Sequence, residues 1–325
     1  MASSSGACSN APDVTHPRLL ATCYPAISPL FSRPSGARLP ASTPADAPPV
    51  FLCLKKLMPI LPPFPNAILF AAAALFGAIV GSFLNVVILR LPETTVSIIH
   101  PASRCPRCLH PLSWYENIPV FSYLFLRGRC RHCDETISWQ YPAVELAMSL
   151  FSAALLWKFG LTVTTAGFFV LIAALLVISV IDMRLQIIPD VISLPGIVVG
   201  FLFVLISGHI AWMDSLTGIF LGGGILYIVA GLYQLLRNKE GMGGGDIKLL
   251  AMLGAFLGWQ SLPFIILASS LAGSLIGLTA IALRKRSAAA RIPFGPYLAG
   301  AAVVYLFFAA EIQGYWSAYI KGNWP

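Results

Sequence analysis

The sequence predicts an all-α polytopic membrane protein: about eight transmembrane helices, with a small cysteine-bearing insert after the first. Three observations carry this. The 325 residues are 57% hydrophobic and 10% charged, against about 25% charged in soluble domains. Apolar runs recur at the length that a hydrocarbon core of about 30 Å demands, roughly 17–25 residues per helix. Lysine and arginine concentrate in alternate loops between those runs, as they do when the cytoplasmic side retains the positive charge.

In chain order, residues 1–57 are rich in Ser, Pro and Ala and read as a disordered tail or a misassigned start. The tail carries Arg18, Arg33, Arg38, Lys55 and Lys56, which the charge bias would put on the wrong side. Starting at Met58 removes all of them and makes 58–90 the first transmembrane unit. Apolar spans are read at 67–90, 143–159, 163–181, 191–208, 213–236, 246–259, 262–283 and 294–315. The run 246–259 is short for a crossing and would start below the surface, tilt little or thin the bilayer; without it seven spans remain. Eight spans place Arg90, Arg104, Arg107, Arg127, Arg129, Arg131, Arg184, Arg237, Lys239, Lys248, Arg284, Lys285, Arg286 and Arg291 on one side, against Lys158 and Lys321 on the other. The first side is therefore cytoplasmic. The net charge of +8 reflects topology and does not call for a nucleic-acid partner.

The insert, 91–141, contains SRCPRCLHPLSWYENIPVFSYLFLRGRCRHC, in which Cys105, Cys108, Cys130 and Cys133 form two C-x-x-C pairs. Each pair makes a tight knuckle presenting two sulfurs, and four thiolates suit one tetrahedral zinc ion. Disulfides are the alternative, disfavoured by a reducing cytoplasm. His110 and His132 are further ligand candidates that a complete four-sulfur set does not need. A closed four-thiolate site has no open position for water, so the expected zinc is structural. The insert's arginines would suit a nucleic-acid ribbon, but topology accounts for them. Trp114, Tyr115 and Trp139 serve equally as domain core or interfacial anchors.

Ionisable residues at membrane depth cost about 2.5–3.5 kcal/mol each. Few exist here: Glu145, Asp182, Asp190 and Asp246, with Glu311 towards the outer side. Span parity sets Asp182 and Asp246 near the cytoplasmic face on different helices. Two carboxylates that approach closely share a proton; the ionised one can take a proton from water while the protonated one polarises a carbonyl. Asp190 competes for the first role, but it sits where a helix starts and suits capping. Asp182 follows LLVISVI with no local partner except Arg184. Gly243, Gly244 and Gly245, just before Asp246, permit positive φ and close backbone approach; they suit a flexible site loop, a cleft for an extended peptide, or merely a loop end. Lys248 reads as a counter-ion or a cytoplasmic anchor. The Walker phosphate-binding pattern is absent.

GSFLNVVILRLP at 81–92, WYENIPVFSYLFLRGRC between the cysteine pairs, YPAVE at 141–145, IDMRLQIIPD at 181–190 and GMGGGDIKLLAMLGAFLGW at 241–259 together resemble the prepilin peptidases, or type IV leader peptidases, over residues 67–310. The resemblance implies a multi-pass aspartic endopeptidase of the GxGD type in the bacterial inner membrane, its peptidase domain at 142–325 and its catalytic pair on Asp182 and Asp246. It implies cleavage of leaders from type IV prepilins and type II secretion pseudopilins at the cytoplasmic face, and N-methylation of the new terminus by S-adenosylmethionine. All four cysteines of the family's insert are retained, so both activities are expected. Asn85, Arg90 and Glu145 fall on family positions near the insert, with methyl transfer, substrate contact and structure all open as roles. A proton-coupled secondary transporter is the alternative; it predicts repeated halves, and no second GGGD segment occurs. A zinc-bearing scaffold without catalysis leaves two costly aspartates unexplained.

Overall fold

The computed structural model describes residues 66–93, 97, 104–105, 107–113, 116, 118–237, 243–283 and 293–320. The tail 1–57, Met58, Trp114 and Tyr115 lie outside the described residues. The elements are α1 (Asn66–Arg90), α2 (Phe121–Phe125), α3 (Gln140–Phe159), α4 (Val163–Leu185), α5 (Asp190–Ser207), α6 (Trp212–Arg237), α7 (Gly244–Leu257), a 3-10 turn (Trp259–Ser261), α8 (Leu262–Ala282) and α9 (Gly295–Ile320). No strand occurs among the described residues, only two isolated β-bridges in the insert.

Seven of these helices, all except α2 and α7, are long and apolar enough to cross a membrane, so the chain is a multi-pass membrane protein. The helix expected at 246–259 is the exception. With 14 residues, α7 reaches about 21 Å at 1.5 Å per residue, short of the hydrocarbon core. It is instead the most enclosed element: Asp246 and every residue from Leu249 to Leu257 are buried. A short helix survives at that depth because protein, not lipid, surrounds its ends.

Small residues set how closely α7 is gripped. It runs antiparallel to α6, with Gly218 against Gly254 and Gly222 against Leu250. It runs parallel to α5, with Gly196 over Met252 and Gly200 over Phe256. Close approach of this kind replaces the hydrophobic drive that helices lack in lipid. Three of the four carbonyls at its end, orphaned in any helix, find partners. Ser215 Oγ donates to Ala255 O at 2.6 Å, and His209 Nε2 to Phe256 O at 3.0 Å. That second bond fixes the tautomer, since a carbonyl only accepts, and leaves His209 Nδ1 to accept from the Ser207 hydroxyl at 2.7 Å. Gly258, at φ +77°, closes the helix by donating to Gly254 O, in the left-handed conformation that favours glycine.

A second glycine seam joins α1 and α3 in antiparallel register. A Cβ at Gly81 would lie 2.7 Å from the Glu145 Cα, and Asn85 Nδ2 donates to Tyr141 O at 3.1 Å. The insert is thereby held at one end of the bundle, the end at which α4 finishes and α5, α7 and α9 begin. Leu75, Phe76, Phe83, Phe220 and Leu271 are more than half exposed, the expected face towards lipid.

Candidate active site and metal cluster

Asp182 lies in the last turn of α4 and is 5% exposed. Its Oδ2 accepts the backbone N–H of Gly295 at 2.8 Å. Gly295 is the first residue of α9, so an otherwise free helix-terminal N–H meets a carboxylate at the positive end of the helix dipole. A Cβ on Gly295 would sit 2.8 Å from the same oxygen. Asp246, in the first turn of α7, is 9% exposed and accepts no hydrogen bond from a described residue. The charge of Asp182 reaches it directly. The two aspartates thus lie buried at the same end of the bundle, on separate helices, one anchored by a backbone N–H and one not. Arg184 forms no ion pair with Asp182 among the described residues.

Two neighbouring expectations need correction. Asp190 does not cap α5: the helix begins at Asp190, Pro189 holds the cap position, and no side chain bonds there. Instead both Asp190 oxygens take Lys248 Nζ at 2.7 Å, because the parallel packing of α5 and α7 puts their first turns side by side. Lys248 is therefore counter-ion to Asp190. Nor do the glycines before Asp246 use positive φ, since none of Gly243, Gly244 and Gly245 adopts it. Gly245 serves close approach, but of the chain itself: a Cβ there would lie 2.7 Å from the Ile188 Cβ. Gly244 faces open space and Gly243 nothing nearer than Asp246 Oδ2 at 3.8 Å. The Asp190–Lys248 pair is exposed, and such pairs contribute only about 0.2–1 kcal/mol. Asp190→Asn should accordingly leave thermal stability and activity near wild type, read by a melting curve and by turnover; severe inactivation would assign Asp190 a direct role.

The four cysteine sulfurs converge within 4.8 Å of one another, with Cys105 and Cys133 3.8 Å apart and Cys108 and Cys130 4.0 Å apart. Both spacings are far too long for disulfides. The geometry comes from two copies of one knuckle. Cys105 N–H donates to His110 O and Cys130 N–H to Glu135 O; Leu109 and Asp134 turn at φ +57° and +53° and donate back to Cys105 and Cys130. The bridges Arg104–Pro111 and Arg129–Thr136 close them, and Arg107 pairs with Glu135 across them at 3.4 Å. The backbone N–H of Cys108 above all lowers the Cys105 thiol to about 7, which favours the thiolate that metals require. The His110 and His132 rings lie 3.6 Å apart between centroids, tilted by 41°, and are outside the cluster. Trp139 is exposed, as an interfacial anchor would be.

The insert rests on α1 and α3 over a cavity of about 490 Å³, lined by Asn85, Arg90 and Glu145 together with insert residues. Sequence reasoning placed those three near the insert but missed Glu116, which lines the same cavity, and Gly295. Glu116 offered a signal, a carboxylate inside WYENIP; Gly295 offered only a glycine before proline at the start of an apolar run.

Residues 75–159 match the bacterial peptidase A24 N-terminal domain, and residues 169–278 match the type IV leader peptidase family. The prepilin leader peptidase/N-methyltransferase of Pseudomonas aeruginosa is 41% identical over 264 residues, covering 73% of this chain and 90% of the relative. The enzyme of the same name from Aeromonas hydrophila is 40% identical over 266 residues, with coverages of 75% and 92%. That of Burkholderia pseudomallei strain 1026b is 38% identical over 268 residues, with 75% and 87%. No solved structure matches. With family models matching across both the insert and the aspartate-bearing helices and relatives of about 40% identity covering most of the chain, the chain belongs to the type IV leader peptidase family.

Proposed function

We propose that the chain is a bifunctional enzyme of the bacterial inner membrane that cleaves the leaders of type IV prepilins and type II secretion pseudopilins at the cytoplasmic face and methylates the new terminus. The observation that carries the peptidase half is the pair of buried aspartates at the insert end, on separate helices. The Lys and Arg bias of the sequence makes that end cytoplasmic. A prepilin's basic leader and apolar helix would bring its junction to this depth.

The geometry suggests a division of labour. Gly295 N–H fixes Asp182 as an acceptor, so it suits the ionised base; Asp246, without such a donor, suits the protonated partner. Asp182 takes a proton from water as the oxygen attacks the scissile carbonyl, and Asp246 protonates the carbonyl oxygen. On collapse Asp182 returns its proton to the leaving nitrogen and Asp246 regains one from the tetrahedral hydroxyl, restoring both groups. When bound, S-adenosylmethionine supplies the electrophilic methyl for the amine so released; the chain's task is to hold that amine unprotonated and exclude water.

Zinc is the metal we assign to the cysteines. Tetrahedral Zn–S bonds of about 2.3 Å imply sulfur separations of about 3.8 Å, and the two closest pairs lie at 3.8 and 4.0 Å. Its role is structural, tying both knuckles into the lid over the cavity. Purified enzyme should carry one zinc per chain by mass-spectrometric metal analysis. Cys130→Ser should lose nearly all of it and expose the insert to proteolysis; full occupancy in that variant would defeat the assignment. Since zinc takes thiolates and protons compete with metal for them, zinc affinity should fall as pH drops.

The overall reading is tested by incubating the full chain in detergent with a prepilin and methyl-labelled S-adenosylmethionine. Leader release with label entering the mature terminus is expected. A folded, zinc-loaded chain that releases no leader refutes it.

A further inference from the structure

The outer surface of the insert joins two features that neither the aspartates nor the cysteines use. Helix α2 is five residues long and buries none of them: Phe121 is 60% exposed, Leu124 66% and Phe125 86%. Directly after it the chain turns through Arg127 at φ +50° and Gly128 at φ +68°. No side chain fits at Gly128, where a Cβ would lie 2.9 Å from the Tyr123 hydroxyl. The turn brings Arg127, Arg129 and Arg131 around one depression that Phe125 also lines. Asp134 is the only carboxylate lining it among the described residues, so its rim is positive. Arg127 and Arg129 are exposed, with no side-chain partner among the described residues.

The depth of α2 decides what covers it. Val120, the residue before α2, donates its N–H to Glu145 at 2.7 Å and adopts φ +62°, a conformation a β-branched residue takes only when its surroundings impose it. Glu145 is the sixth residue of α3, whose 20 residues reach about 30 Å and so need the whole hydrocarbon core. The start of α2 is therefore pinned about 7.5 Å along a membrane span. That is the boundary of headgroups and acyl chains, where amphipathic segments settle about 5–10 Å deep. Trp139, 75% exposed just before α3, stands at the level where tryptophan collects at membrane surfaces. Three bare apolar side chains at this depth face lipid, and the arginines that follow them in the chain meet headgroups.

We propose that the insert binds an anionic phospholipid of the leaflet it rests against: Phe121, Leu124 and Phe125 enter the acyl boundary, and Arg127 and Arg129 clasp the headgroup phosphate, with Arg131 adding positive charge. Guanidinium forks match phosphate oxygens in pairs. Basic residues beside an inserted apolar face select anionic over zwitterionic lipid. An acidic protein segment would match the arginines, but not apolar side chains at bilayer depth. The site needs only a membrane-spanning chain and stands apart from both proposed activities.

The test places the full, zinc-loaded chain in phosphatidylcholine nanodiscs doped with a photoactivatable phosphatidylglycerol or, separately, a photoactivatable phosphatidylcholine. Peptide mapping should find phosphatidylglycerol adducts on residues 121–131. The double variant Arg127→Gln, Arg129→Gln should cut them at least about tenfold and leave phosphatidylcholine adducts unchanged, while zinc content in the same samples reports that the insert is folded. In the wild type, raising salt from about 0.05 M to about 0.5 M should weaken phosphatidylglycerol labelling alone, because screening acts on charge and not on apolar contact. Labelling that neither the double variant nor salt reduces overturns the headgroup site, as does equal labelling by the two lipids. No adducts from either lipid overturns the apolar anchor and leaves this face to a cytosolic partner. Loss of phosphatidylglycerol labelling in inorganic phosphate at constant ionic strength also overturns the proposal and assigns the arginines to a free anion.

Discussion

Asp182→Asn and Asp246→Asn should each reduce leader cleavage by about 10³-fold or more, the scale on which one member of a unit disables the whole. The two changes are close to shape-neutral, so the loss is chemical. At position 182 the amide oxygen can still accept Gly295 N–H, keeping α4 and α9 in register. At position 246 no hydrogen bond from a described residue is given up. What disappears in each case is a proton: an amide at 182 cannot accept one from water, and an amide at 246 cannot deliver one to the carbonyl. The double variant should be little worse than either single one. Processing of a prepilin by purified variants, followed by the mobility shift of the cleaved product, measures this. Near-normal cleavage by either single variant, in protein that melts like wild type, would sink the dyad. The pairing with Asp190→Asn matters, because all three aspartates sit at the insert end and burial distinguishes the pair from the exposed Asp190–Lys248 bridge.

The aspartate pair was legible from hydropathy because a carboxylate ending an apolar run is costly wherever the chain folds. Parity of the spans then placed Asp182 and Asp246 at one face without any tertiary information. The cysteine cluster was legible for a similar reason: each knuckle is closed by bonds within a few residues, so its geometry is local. What could not be read depends on contacts between distant segments. Gly295 meets Asp182 across 113 residues, and Lys248 meets Asp190 across 58. The capping role expected of Asp190 was a sound local inference that a parallel neighbour overrode. Helix α7 shows the same limit. Its run of apolar residues reads as a span, whereas its shortness becomes tolerable only because α5 and α6 enclose it.

That enclosure leads to the second large effect. Gly218→Ala should destabilise the protein severely and cost most of its cleavage activity, whereas Gly224→Ala, six residues along the same helix, should do neither. A Cβ at 218 would run into the backbone carbonyl of Gly254, while one at 224 would meet nothing within 4 Å. Ordinary overpacking costs about 1–3 kcal/mol because side chains can give way. The Gly254 carbonyl, held by the bond from Gly258 N–H that closes the helix, cannot, so α6 and α7 would have to part where they cross. Alanine at 224 instead gains up to about 1 kcal/mol of helix propensity over glycine. The catalytic consequence follows from the position of Asp246 on α7: a shift of about 1 Å in a reacting group can cost about 100-fold. Gly222→Ala, whose Cβ would lie 2.6 Å from the Leu250 carbonyl, should fall between the two, since that contact is looser than the one at 218. Melting temperatures in detergent and initial rates on prepilin, measured for the three variants together, give the ranking. If Gly218→Ala melted and cleaved like Gly224→Ala, backbone contact could not be what sets the depth of α7 or the place of its carboxylate.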